Sequence, residues 1–189
     1  IKIRYSTELR ITMVYCGIDA STTAVGWSIF NGTDLIDYGC FRPNGDDWRD
    51  RTQQIAPFIK QLLEKYHVDK VILEDVPLMG KRGNKTLVIL GAVQGMLLGV
   101  TSSMNIPTEF ILPNAWRSPI GLFDGTKAGT RRDEMKRKSI EKANERFGLE
   151  LKWVSPCSKK NDDDIADAIL VAYSQISKVH FAKNPKVKE

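Results

Sequence analysis

The sequence predicts an α/β fold, a five-stranded mixed sheet flanked by helices, and three observations carry that prediction. Three short apolar runs open the chain, joined by turn residues rather than by helix-forming segments. Two later apolar runs, "KVILEDV" and "TEFILP", each follow a helix-length stretch. The resulting order is β-β-β-α-β-α-β-α-α. A meander pairs strands antiparallel, whereas strands joined by helical crossovers lie parallel, so both kinds of pairing occur in one sheet.

Taken in order, "MVYCGID", "AVGWSIFN" and "LIDYGCF" are the first three strands, and Asn31-Gly32 supplies the tight turn between the last two. After an Asp-rich loop, "WRDRTQQIAPFIKQLLEKYH" sets Ile55, Phe58, Ile59, Leu62 and Leu63 at the spacing of one helix face, with Pro57 as a candidate kink. "KVILEDV" is a short buried strand that ends in acids. Lys85 to Met104 is a long apolar helix, and "TEFILP" is the fifth strand. A loop, "NAWRSPIGLFDGTKAG", leads to a basic helix from Arg131 to Phe147. The connector "LELKWVSPCSKKN" then leads to a last helix from Asp162 to Ser177.

The 189 residues suit one domain, and 42% apolar with 27% charged residues excludes a fibrous or disordered chain. The reading divides them into residues 1–12, an N-terminal extension or expression remnant before Met13; 13–177, the folded domain; and 178–189, a basic tail. From Thr86 to Thr108 there is no charge. The most apolar part, "TLVILGAVQGMLLGV", is shorter than the roughly 20 residues of a bilayer span and carries Gln94, so a buried helix and no membrane partner are expected. Cys16, Cys40 and Cys157 are too scattered for a metal site and read as thiols of a reducing, cytoplasmic compartment. The net charge of +5 is clustered: residues 127–142 hold seven Lys/Arg against three acids. Such a cluster suits a polyanion.

Four acids occupy positions that packing does not require. Asp19 closes the first strand and Glu74 closes "VILE", so neighbouring strands would bring both to one sheet edge. In "DDDIADA", Asp164 and Asp167 stand three apart on one helix face, and Asp163 with Asp167, four apart, is a competing pair. Asp162 and Asp163 are candidates to cap the helix. Asp167 lies among Ile165, Ala166, Ala168, Ile169 and Val171, where a charge needs a partner. No Lys or Arg occurs between Lys160 and Lys178, which points to a cation from outside the chain. Clustered carboxylates beside only two histidines fit Mg²⁺ or Mn²⁺ rather than zinc.

"GIDASTTAVGW", "VILEDV" and "DIADAI", in this order over residues 13–177, resemble the RuvC family of Holliday-junction resolvases, which have the RNase H-like fold. The resemblance implies that Asp19, Glu74, Asp164 and Asp167 are the catalytic, metal-binding acids, which selects Asp164 over Asp163. It implies two Mg²⁺ ions per site, with Mn²⁺ as a substitute, and a homodimer that nicks two strands of a four-way junction or related branched DNA. Arg117, Arg131, Arg132 and Lys136 would hold the DNA backbone, with Lys81 and Arg82 as further contacts. The chain departs from cellular RuvC in two ways, which make it look more like the phage-type or mitochondrial-like branches, the phage-type above all. No aromatic follows Glu74, so Leu78 or Met79 would unstack bases, and "RSPIGLFDGTKAGTRRD" is a long insertion. Trp116 and Trp153 are candidate base-stacking residues, and Trp27 is expected in the core.

Gly91, Gly95 and Gly99 recur every four residues, flanked by Val88, Ala92 and Met96, and make a smooth stripe for a second copy or for the sheet. Beside a change of substrate within the same fold and metal chemistry, as in RNase H enzymes or transposases, two rival readings remain. "GIDASTT" also suits the first phosphate loop of an actin-like or sugar-kinase-like ATPase, although those enzymes are much longer and carry a second glycine-rich loop. A non-catalytic binder of branched DNA is the other, and the four acids argue against it.

Overall fold

The computed structural model describes residues 12–76, 83–123, 131–156 and 158–183, the last five of these by backbone alone. Lys81, Arg82, Leu78, Met79 and Cys157 fall outside the described residues. Five strands form one sheet: β1 Val14–Ala20, β2 Val25–Asn31, β3 Asp34–Phe41, β4 Lys70–Glu74 and β5 Thr108–Ile111, in the order β3-β2-β1-β4-β5. The pairs β1/β2 and β2/β3 are antiparallel, and β1/β4 and β4/β5 are parallel, as the meander and the crossovers predict. Gly32 takes the positive φ of 61° that the β2/β3 turn requires.

Strand alternation sorts side chains into two cores. Val14, Cys16, Ile18, Val71 and Leu73 point to one face, where helices α1 (Trp48–Tyr66) and α2 (Asn84–Ser103) pack on them through Ile55, Ile59, Val93 and Leu97. Phe30 and Ile72 point to the other, which α4 (Arg132–Phe147) and α5 (Asp163–Lys183) cover through Ile140, Ile169 and Leu170. Trp27 packs into the first core as expected. Trp153 lies partly buried against the second.

Three elements differ from expectation. The "NAWR" stretch is a short helix, α3 (Pro113–Arg117), started by Pro113 at its first position, where a missing N–H costs nothing. α5 runs to Lys183, past the expected end at Ser177. α2 is not a buried helix. Val93, Leu97 and Thr101 face the sheet, while Val88, Gly91, Gly95, Leu98 and Gly99 are exposed, so the glycine stripe does not serve packing on the sheet. By length and composition α2 would suffice to cross a membrane, with 20 residues and a mean hydropathy of 1.6 in its most apolar window, only 17% of it buried.

Candidate metal centre

The register of the central parallel pair sets the first two acids. Ile18 lies opposite Leu73, so the next residues, Asp19 and Glu74, leave the sheet at the same edge. Both follow the alternation of Gly17 and Ile72 and therefore point to the α5 side. α5 comes unusually close to that face because two strand residues lack side chains. A Cβ on Gly17 would stand 2.2 Å from the Ala168 carbonyl oxygen, and one on Gly26 would stand 1.9 Å from that of Asp164. The Ser28 hydroxyl, on the same face, donates to the Ala168 carbonyl at 2.9 Å. These contacts place the first turns of α5, with Asp163, Asp164 and Asp167, over the ends of β1 and β2.

The electrostatics follow from the crowding. The Asp19 carboxyl is pushed well above the ordinary carboxylate range, first by burial and then by the charges of Glu74, Asp167 and Asp164, with Lys136 pulling the other way. Asp167 is also raised by burial. Arg117, a hydrogen bond from Ser139 and Lys136 draw it back, and Asp164 pushes it up. Asp163 has a basic partner of its own. Its buried carboxylate is bonded to the Lys136 ammonium, whereas Asp164 keeps a quarter of its side chain exposed.

Besides the cation expected from outside the chain, basic side chains of the chain itself reach the acids. The Arg117 guanidinium reaches Asp167 at 3.6 Å and Glu74 at 3.2 Å, and Lys136 stands 4.0 Å from Asp164. Lys136, an expected phosphate contact, lies among the acids. Arg131 and Arg132 are exposed at the start of α4. Arg42, which the sequence reading did not single out, lies 3.7 Å from Asp164 at the end of β3. Trp116 is no base-stacking platform: it is fully buried, and its indole N–H donates to Glu74 Oε2 at 2.7 Å. Asp162 does not cap α5 with its side chain, which accepts from the Lys152 N–H at 2.8 Å and ties down the connector.

Among the described residues, no three His, Cys, Asp or Glu side chains converge closely enough to enclose a metal ion as they stand. The donor set is nevertheless suited to a hard divalent ion, since it consists of carboxylate oxygens alone. One further observation fits: Asp167 Oδ1 is buried without a hydrogen-bond partner among the described residues. A buried carboxylate oxygen without a donor is costly, and a cation would satisfy it.

No protein-family model and no curated protein matches this sequence. Solved structures do. Thermus thermophilus RuvC in complex with a Holliday junction substrate is similar with a TM-score of 0.65 at 16% identity, over 90% of this chain and 95% of that one. The chain has the RuvC fold. A second Thermus thermophilus RuvC structure agrees with a TM-score of 0.61 at 18% identity, covering 92% of this chain and 97% of that one. The yeast mitochondrial Holliday junction resolvase Ydc2 agrees with 0.56 at 14% identity, covering 90% and 80%. A RuvC fold over nearly the whole length of both chains bears out the expected RNase H-like architecture.

Proposed function

We propose that this chain is a metal-dependent, structure-specific endonuclease that binds four-way and related branched DNA and nicks it in pairs. One observation carries the reading. Within a RuvC fold, two parallel strand ends and one helix gather Asp19, Glu74, Asp164 and Asp167 into a mutually repelling group. Relatives of this fold have been solved as junction resolvases, one of them with a junction bound.

Asp19, Glu74, Asp164 and Asp167 would hold Mg²⁺, with Mn²⁺ as a substitute and two ions per site. Bound divalent ions supply a water activated at neutral pH and charge stabilisation at the scissile phosphate. The rest belongs to the chain's own side chains. Arg117 and Lys136 offset the repulsion among the acids. Both keep about a quarter of their side chain exposed, so they can meet an incoming phosphate without leaving the site. Arg131, Arg132 and Arg42 extend the positive rim, where contacts to backbone phosphate add affinity without reading sequence. Lys81 and Arg82 remain proposed contacts of the same kind. The exposed stripe on α2 is the proposed homodimer surface, since a junction has two scissile strands and one site reaches only one at a time.

The test is incubation of the purified protein with labelled four-way junction, duplex, fork and RNA/DNA hybrid, with Mg²⁺ or with chelator. Symmetric nicks in the junction, abolished by chelation, are the expected result. Cleavage restricted to the hybrid, or cleavage that persists in chelator, overturns the reading.

A further inference from the structure

We propose that Trp116 is a positioning residue of the metal centre, fixing the carboxylate of Glu74 through its indole N–H. This rests on the reading of Glu74 as a metal ligand and goes beyond it by naming what orients that ligand.

Tryptophan is rarely enclosed completely, and when it is, the N–H must find an acceptor. Trp116 is completely enclosed, and its acceptor is a carboxylate oxygen 42 residues away in sequence, at 2.7 Å. A backbone carbonyl would satisfy the N–H equally well. A carboxylate places a negative charge at the rim of a buried ring and makes the bond charge-assisted and directional. The ring itself is held firmly, because α3 packs on α5 and the indole lies in the core with Ile111, Leu122, Ile169 and Leu170. Its neighbour Arg117 is held more loosely. The guanidinium reaches the two Glu74 oxygens at 3.2 and 3.4 Å, is partly exposed, and leaves its buried Nε without a partner among the described residues. An ion or a phosphate can draw Arg117 away, whereas Trp116 has nowhere to go. Glu74 therefore keeps its orientation when the arginine moves, which is how donors behind metal ligands usually act.

Mn²⁺ binding to the metal-free protein, followed by the electron paramagnetic resonance signal of free Mn²⁺, needs no DNA and no turnover. Trp116→Phe keeps an aromatic ring in the core and removes the donor. It is expected to weaken Mn²⁺ binding about 10- to 100-fold, the usual effect of losing a partner behind a ligand. Glu74→Gln weakens it as well. Because Trp116 acts through Glu74, the double variant should bind no worse than Glu74→Gln alone. Trp116→Phe binding Mn²⁺ like the parent, or losses that multiply in the double variant, would overturn the proposal. Parent-like binding by Glu74→Gln would instead remove Glu74 as a ligand, and the proposal with it. Should Trp116→Phe fold poorly, indole ¹⁵N–¹H spectra of the parent and Glu74→Gln proteins decide. Of the four tryptophan signals, one is expected far downfield and is expected to move both with Mg²⁺ and with Glu74→Gln. No indole signal responding to either change would overturn the assignment.

Discussion

At the scale of single residues, the centre is a place where the metal-free protein works against itself. Asp19 is partly buried and surrounded by Glu74, Asp167 and Asp164, so its carboxyl takes up a proton more readily folded than unfolded. The sign of the pH dependence follows. The metal-free fold is favoured below the ordinary carboxylate range and loses that advantage as pH rises from about 4 through the raised value. Asp19→Asn, which keeps the shape and removes the charge, should therefore raise the melting temperature of the metal-free protein at pH 7.5. The gain should shrink as pH falls towards 4. The rise should be measurable, since each kcal/mol is worth about 2–4 °C for a chain of this size. Mg²⁺ should stabilise the parent more than the variant. Calorimetry at both pH values, with and without Mg²⁺, checks this, and equal melting temperatures at pH 7.5 would count against it.

At the scale of elements, the position of α5 decides where two of the four acids stand, and that position depends on an absent side chain. A Cβ on Gly26 would meet the Asp164 backbone at 1.9 Å, and backbone cannot rotate away as a side chain can. Gly26→Ala must push the start of α5 off the sheet. The expected cost is about 1–3 kcal/mol of stability, with cleavage falling on the order of 100-fold as Asp164 and Asp167 shift relative to Asp19. The control is Gly91→Ala on α2, where an added Cβ meets nothing within 4 Å among the described residues of one copy. There a better helix former should leave stability unchanged or raise it by up to about 1 kcal/mol. Urea denaturation of the two variants separates close approach from propensity. Equal stabilities would show that α5 adjusts without cost.

For the whole molecule, the exposed face of α2 is the feature a lone copy explains least. Val88 and Leu98 are 68% and 44% exposed, and the glycines between them form a flat apolar strip. Apolar strips of this kind mark contact surfaces. A Cβ added at Gly95 meets nothing within 4 Å among the described residues, so Gly95→Leu should fold normally while blocking the approach of a second copy. Light scattering should report a dimer for the parent and a monomer for the variant. In the variant, paired nicks in a junction should give way to single ones. A dimer of unchanged strength would move the interface off α2.

How much of this was legible in sequence depends on the range of the forces involved. Alternation along "MVYCGID" and "VILE" and the 3-4 spacing of the helices are local patterns. They were enough to predict the five-stranded mixed sheet and to place Asp19 and Glu74 at strand ends, because a strand must turn every second side chain to each face. Other features arise only when distant segments meet. Arg117 and Lys136 lie 43 and 27 residues from the acids they touch, and no spacing rule reaches that far. The same holds for Trp116, whose burial behind Glu74 follows from the packing of α3 on α5. "NAWR" was too short a helix to show periodicity, and one apolar stretch reads alike whether it faces a core or solvent, which is why α2 was expected to be buried. Sequence by itself determined the sheet, the helices and the chemical character of the acids. Tertiary structure decided which cations stand among those acids, which donor holds Glu74 and which face of α2 is left bare, because burial and charge pairing depend on distance in space rather than along the chain.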